Sequence, residues 1–251
     1  RIVEDDEIKN SIVKKYPYSK WVKSNVLPLS KVPYRIKKTV KEKLNFETRL
    51  KVFGYTKEDF KTIILPMCNN GKEAIGSMGT DTPLAVLSKN PQLIYNYFKQ
   101  LFAQVTNPPL DGIREEIITD TSLSLGSDYN IFDLIPDHAK KLKINNPIIS
   151  NGDLEKIKHI DHEDFKACSI NANYEISKGH NGLEKALDNI VDKVEKKVDT
   201  GHNIIILSDR KTSKKYAPIP ILLVCSYVHH SLIKRKKRSK FGIVIESAEP
   251  R

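Results

Sequence analysis

The densest glycine segment of this 251-residue chain is Gly71-Lys-Glu-Ala-Ile-Gly76-Ser-Met-Gly79, followed by Thr80-Asp81-Thr82-Pro83. Glycines spaced in this way can cradle a phosphate with backbone amides. A phosphate loop, however, needs lysine directly after the glycine that closes its four-residue spacer, and here Ser77 follows Gly76. No strand pattern precedes the segment, so it reads as a tight ordered loop in which glycine permits positive φ and close backbone approach. His159-Ile-Asp-His162-Glu-Asp164 offers metal-ligand types at short spacing, but in the most polar and least periodic part of the chain. A metal site needs fixed geometry and supporting hydrogen bonds, so a solvated loop is the favoured reading. His229 and His230 are helix neighbours whose side chains diverge by about 100°, too far apart to chelate one ion. Cys68, Cys168 and Cys225 form no Cys-x-x-Cys pair, which argues against a disulfide framework or a cysteine zinc site. Ser208-Asp209-Arg210 and Glu246-Ser247 end apolar strands, where α/β proteins place function. They carry no glycine fingerprint and no nucleophile–base pattern, and read equally well as residues that cap helices or pair with each other.

The elements that must position these residues are clearest in the C-terminal half. Lys166 to Ile170 reads as a strand. A helix from Asn181 carries Leu183, Ala186, Leu187, Ile190, Val191, Val194 and Val198 on one face, with Gly201 ending it. Asn203-Ile-Ile-Ile-Leu-Ser is apolar throughout, the pattern of a parallel strand covered on both sides. A helix over 218–234 and a strand from Phe241 to Glu246 complete a β-α-β-α-β order, and parallel strands need such crossovers. The class is α/β, open sheet or barrel. Further upstream, Thr56 with Asp59 predicts a capped helix carrying Phe60, Ile63 and Ile64, which Pro66 ends or bends. Asn90-Pro91 predicts a second helix with Leu93, Ile94, Tyr97, Phe98 and Leu101 buried, stopped by Asn107-Pro108-Pro109. Residues 1–46 read as a Lys-rich linker or extended arm, and 128–165 as a variable connection.

Composition excludes several classes. The longest apolar stretch, Ile219 to Cys225, is broken by Pro220, far short of the ~20 residues of a membrane span. Cysteine usage suits a reducing interior. With no initiator Met and no signal peptide, the chain is expected to be a piece of something longer. Lys and Arg number 42 against 31 Asp and Glu, a formal charge of +11. Residues 1–50 hold 13 basic and 6 acidic groups (net +7) and residues 208–251 hold 11 and 3 (net +8). Residues 51–207 are net −4, with 18 basic and 22 acidic groups. Two basic ends folded together could meet nucleic acid. The sharpest run, Lys234-Arg235-Lys236-Lys237-Arg238, follows a helix pattern and reads better as a helix C-terminus, where the dipole favours cations.

Several longer blocks carry a resemblance. They are Arg49-Leu50-x-x-Phe53-Gly54-Tyr55-Thr56-x-Glu58-Asp59, then Gly71 to Ser88, Tyr97 to Pro109 and Ile113-Arg-Glu-Glu116. Leu207-Ser-Asp-Arg210, Ala217-Pro-Ile-Pro220, His229-His230 and Ile245-Glu-Ser-Ala-Glu-Pro-Arg251 complete the set. Together they resemble the central domain of the glutamate synthase large subunit over about residues 15–251. The Lys/Asn-rich inserts depart from the family's pattern, in which a glutamine amidotransferase domain precedes this segment. The resemblance divides the chain into an arm over 1–46 and a central domain over 47–251, expected to be truncated at its C-terminal end.

The resemblance implies an incomplete, degenerate barrel-like fold with parallel β-α-β units, related to the flavin barrel of the same enzyme. It implies a non-catalytic connector between glutamine amidotransferase and flavin domains, inactive alone and holding no cofactor. The parent enzyme makes two L-glutamate from L-glutamine and 2-oxoglutarate with FMN and an iron–sulfur cluster. A reductase subunit or ferredoxin is a further implied partner, and the implied compartment is cytoplasmic or plastid. The domain would line part of a tunnel that keeps ammonia neutral and out of bulk water. By the family's pattern, Met78 and Thr106 match tunnel-constriction positions, and Gly76, Ser77, Gly79, Asp81, Asn107 and Arg114 belong to ordered interdomain loops. The rival readings are a basic nucleic-acid-binding module and a stand-alone barrel-like hydrolase using Asp209 or Glu246.

Overall fold

The computed structural model describes residues 2–34, 44–74, 84–98 and 105–250. Gly76, Ser77, Met78, Gly79, Asp81 and Leu101 lie outside the described residues.

The C-terminal half follows the expected order. Strands β4 (Ala167–Asn171), β6 (Ile204–Ser208) and β8 (Gly242–Glu246) form a parallel sheet in the order β4-β6-β8. Between β4 and β6 runs α8 (Gly179–Asp199), and between β6 and β8 runs α9 (Ile221–Lys234). All five residues of β6 are buried, as its unbroken apolar run requires. Ile205 and Leu207 face Leu187, Ile190, Val191, Val194, Val224 and Val228 of the two helices. Ile204 and Ile206 face the other way, into a second core with Leu29, Leu142, Ile144, Leu154, Ile157 and Phe165. Each fully buried Ile or Leu here contributes roughly 1.5–3 kcal/mol. The α8 helix starts two residues before Asn181, and Thr200 and Gly201 end it, Gly201 with φ +86°.

The second core belongs to a mixed sheet in the order β1-β3-β2, with β1 (Val26–Pro28) parallel and β2 (Leu123–Leu125) antiparallel to β3 (Lys141–Ile144). Two expectations change here. Residues expected to be a linker or extended arm hold α1 (Asp5–Val13), α2 (Tyr18–Asn25) and β1, and Leu29 and Val32 are buried. The connection expected over 128–165 supplies β3 and α7 (Asn151–Lys158). In β3 the sequence Lys-Leu-Lys-Ile alternates, so Leu142 and Ile144 are buried while Lys143 faces out. A third, two-stranded sheet pairs β5 (Asn173–Glu175) with β7 (Tyr216–Pro218). The described strands form no closed barrel. The mixed and parallel sheets nevertheless meet at one edge. A Cβ on Gly242 of β8 would collide with Leu125 of β2. Beyond that point the Asp128 amide donates to the Ser239 carbonyl (2.6 Å) and the Ser127 hydroxyl to the Lys240 carbonyl (2.6 Å).

Residues 44–74 and 84–98 are helical and irregular. Helix α3 (Phe46–Val52) is capped by Asn45, whose side chain accepts from the Thr48 amide. At Thr56 the expected capping box is complete: Thr56 accepts from the Asp59 amide and Asp59 accepts from the Thr56 amide. Pro66 does not end this helix. Helix α4 (Lys57–Asp59) passes through a π-helical turn (Phe60–Ile64) into α5 (Leu65–Asn70). The wider turn lies just ahead of the proline, whose ring and missing N–H would break a tighter ladder. Gly71 then stops α5 with φ +60°. No helix opens at Asn90-Pro91. Ser88 exchanges hydrogen bonds with the backbone of Asn90, Leu93 is extended, and only a 3-10 turn forms over Ile94–Tyr97. This local side-chain bonding competes with helix formation. Tyr97 and Phe98, expected to be buried, are exposed. Helix α6 (Gly112–Ile118) follows, capped by Asp111.

Candidate functional site

The carboxyl ends of β6 and β8 border a cleft of about 920 Å³, its far walls made by Phe46, Arg49, Leu50, Phe53 and Tyr55 and by residues 146–149. The burial of β6 and its register with β8 set Ser208 opposite Glu246. The ladder continues one step further, with the Asp209 amide donating to the Glu246 carbonyl at 3.2 Å. Both expected strand-end segments are therefore brought together, and they bond to each other.

Glu246 is 8% exposed, and one carboxylate oxygen accepts from Arg210 Nε (2.6 Å) and from Lys158 Nζ (2.8 Å). Lys158 stands at the end of α7 and also donates to Glu155 (2.9 Å). Burial alone would raise the Glu246 pKa, but hydrogen bonds from Lys158, Ser208 and Arg210 outweigh it and hold the carboxyl below its ordinary value. Asp209, 4% exposed, has the opposite balance. Burial pushes its pKa up to about 6, and the Glu249 and Glu246 charges add to this, while the Ser247 hydroxyl and Arg210 act the other way. The Ser247 hydroxyl donates to Asp209, and its oxygen accepts from the Glu249 amide (3.1 Å). Below them, Thr212 donates to the Asp209 carbonyl (2.6 Å) and accepts from Asn173 Nδ2 (2.8 Å).

Sequence reading singled out Asp209, Arg210, Glu246 and Ser247 but missed Lys158, Asn173, Thr212 and Glu249. Glu249 is 8% exposed and accepts the Ile221 amide at 2.6 Å, so it caps the start of α9 from 28 residues downstream. The signal was indirect: Pro220, the residue ahead of α9, has no capping side chain.

The other candidates are dispersed. Among the described residues no three His, Cys, Asp or Glu side chains are placed to hold a metal ion. His159 pairs with Glu155 (3.4 Å), while Asp164 pairs with Lys140 (3.1 Å). His229 accepts from Arg238 Nε (3.0 Å) and is half-buried, whereas His230 faces out. Burial, then the Arg238 and His230 charges, lowers the His229 pKa, consistent with a neutral acceptor ring. The basic run wraps back onto helices. Arg235 binds Asp192 (3.0 Å) and Glu195, Lys237 binds Glu195 and Asp199 (both 2.8 Å), and Arg238 donates to the Phe241 carbonyl (2.7 Å). Thr106 and Asn107 lie in the exposed loop before α6, and Arg114 pairs with the capping residue Asp111 (2.7 Å). No helix among the described residues is long and apolar enough to cross a membrane.

The architecture is that of an α/β domain whose strand-end polar residues hold its own elements together. The sequence profile of the glutamate synthase central domain matches residues 48–251, and the chain belongs to that family. The chain is 38% identical over 254 residues to the glutamate synthase [NADPH] large chain of Bacillus subtilis (strain 168), covering 100% of this chain and 16% of that protein. It is 33% identical over 262 residues to glutamate synthase [NADH] of Schizosaccharomyces pombe, covering 100% of this chain and 12% of that protein. It is 34% identical over 254 residues to the chloroplastic ferredoxin-dependent glutamate synthase of Spinacia oleracea, covering 99% and 15% respectively. The chain thus spans about a sixth or less of the length of these relatives.

Proposed function

We propose that this chain is the non-catalytic connecting domain of a glutamate synthase that makes two L-glutamate from L-glutamine and 2-oxoglutarate. It would join a glutamine amidotransferase domain to a flavin domain and line part of the ammonia tunnel between them. The observation that carries this reading, beside family membership, is the use of the strand-end carboxylates. Glu246 is bound by Lys158 and Arg210, Glu249 by the start of α9, and Asp209 by Ser247. All three tie one element to another. Helix α6 supports the connector role, since Ile113 and Ile117 are 86% and 78% exposed, a surface suited to burial against a neighbouring domain.

In this reading FMN and the iron–sulfur cluster belong to the flavin domain. Cys68, Cys168 and Cys225 stand on three different elements, α5, β4 and α9. Electrons would come from a reductase subunit or ferredoxin, in a reducing compartment, cytoplasmic or plastid. Met78 and Thr106 would form the constriction, with Gly76, Ser77, Gly79, Asp81 and Asn107 in loops that face neighbouring domains; Arg114, expected in such a loop, stands instead in the first turn of α6. The meeting of β2 with β8 supports the mixed and parallel sheets as two arcs of an incomplete barrel, akin to the flavin barrel.

The test belongs in the full-length enzyme. Met78→Ala and Met78→Trp should each raise the glutamine consumed per pair of electrons taken from the donor, because ammonia escapes or is blocked. An unchanged ratio in both variants refutes the tunnel role. A second reading, a stand-alone hydrolase, draws on the Ser247–Asp209 pair beside the cleft, where a carboxyl with a pKa of about 6 suits proton transfer. That reading requires the chain alone to show an esterase or amidase activity that Asp209→Asn abolishes.

A further inference from the structure

Helix α9 ends in a strained turn. Among the described residues Lys236 is the only non-glycine with a left-handed backbone, φ +56°, a conformation that costs energy for any residue with a Cβ. A 3-10 turn over Arg238–Lys240 follows, and β8 begins two residues later. This turn carries the seam between the two sheets. Its Ser239 and Lys240 carbonyls accept from the Asp128 amide and the Ser127 hydroxyl, which follow β2 (both 2.6 Å).

Arg238 fastens the turn to α9 and to the start of β8. Its Nε donates to His229 Nδ1 (3.0 Å) and its Nη1 to the Phe241 carbonyl (2.7 Å). Its guanidinium carbon lies 4.9 Å from the centre of the buried Phe241 ring. An arginine side chain only donates and stays charged. The His229 nitrogen that meets it must therefore present a lone pair, so the ring is neutral with its proton on Nε2. A second proton would set an N–H and a positive charge against the guanidinium, and the bond would be lost. The other titratable and charged groups around the pair are His230, Cys225 and Asp128. The His230 ring is centred 5.1 Å from that of His229, Cys225 stands one turn earlier on α9, and Asp128 is paired with Lys141. Burial first, then the Arg238 and His230 charges, disfavours the protonated His229 ring.

We propose that His229 and Arg238 form an acid-released latch on the seam between the mixed and parallel sheets. Protonation of His229 breaks its bond to Arg238, frees the strained turn at Lys236 and loosens the hold of Ser239 and Lys240 on Asp128 and Ser127. The folded ring takes up a proton less readily than an unfolded one. The latch is therefore fully closed above the ordinary histidine value of 6.5 and opens as pH falls through the lower folded value.

The test is backbone hydrogen exchange in the full-length glutamate synthase between about pH 7.5 and about pH 4.5. Each rate is divided by that of an unprotected amide at the same pH and compared with residues 204–207 of β6. In the unmodified enzyme, protection over 126–129 and 239–243 should fall about tenfold relative to β6, the effect of losing one charge-assisted hydrogen bond. The midpoint should lie below the ordinary histidine value. His229→Asn offers a side-chain oxygen to Arg238 and takes no proton, so its protection should match the unmodified enzyme at neutral pH and persist in acid. Arg238→Met keeps an unbranched stem over Phe241 and removes the donor. Its protection should already be about tenfold lower at neutral pH and fall no further. No fall in the unmodified enzyme, an equal fall in His229→Asn, or full protection in Arg238→Met at neutral pH overturns the latch. Either variant is sufficient if the other does not fold.

Discussion

Replacing Asp209 by Asn should stabilise the chain at neutral pH. Asp209 is buried between two strand ends, with its carboxyl pKa raised from 3.8 to about 6. A carboxyl shifted by that amount must be ionised at pH 7 against about 3 kcal/mol of unfavourable environment. Asn removes the charge and keeps an oxygen to accept from Ser247. Its amide group can donate towards the Glu246 and Glu249 carboxylates that now repel Asp209. The sign follows from linkage. Because the folded pKa is raised, the folded state holds a proton that the unfolded state has lost between about pH 4 and 6. The destabilisation is absent below the unfolded pKa, grows as pH rises from about 4 to about 6, and is complete above about 6. For a chain of this length a urea m-value of about 3 kcal/mol per M makes the gain about 1 M in the unfolding midpoint at pH 7. Urea titrations of both chains at pH 7, 5.5 and 4 measure this directly. The gain should fall to about three-quarters at pH 5.5, to half at about pH 4.9 and to about a fifth at pH 4. A variant that unfolds earlier than the parent at pH 7, or a gain independent of pH, refutes the reasoning.

The neighbouring carboxylate should behave in the opposite sense. Glu246→Gln should cost about 2 kcal/mol at pH 7, below the 3–5 kcal/mol of a broken buried pair, because Lys158 keeps Glu155 and Arg210 is 36% exposed. Its folded pKa is lowered, so the stability it supplies is present above the unfolded carboxylate value and lost as pH falls through the folded one; the urea midpoints of parent and variant should converge in acid. Gly242→Val should cost about 1–3 kcal/mol in the same assay, since its side chain must displace Leu125 where β2 meets β8.

Strong periodic signals transferred well from sequence to structure. The unbroken apolar run of β6 and the seven-residue stripe of α8 each admit one environment, and both have it. The Thr56 capping box was legible because all of its partners lie within four residues. Weaker signals failed for identifiable reasons. Polar and lysine-rich composition obscured β1 and β3, although Lys-Leu-Lys-Ile shows the two-residue period of a half-buried strand. At Asn90-Pro91 the cap-and-proline signature competed with Ser88, and the local turn prevailed. The basic run looked like a charged surface because its acidic partners, Asp192, Glu195 and Asp199, lie about 40 residues away on another helix.

The residues alone determined the α/β class, the parallel crossover connection of β4, β6 and β8 and, through long matching blocks, the family. These depend on local periodicity and on residue identity, which a chain carries before it folds. Only the tertiary structure decided what the strand-end carboxylates do. Asp209 and Glu246 have the same chemistry and the same place at a strand end, yet one is driven towards protonation and the other held ionised. That difference is made by the exclusion of water around Asp209, the charge of Glu249 from the tail and the hydrogen bond from Lys158 of α7 to Glu246, all brought about only by folding.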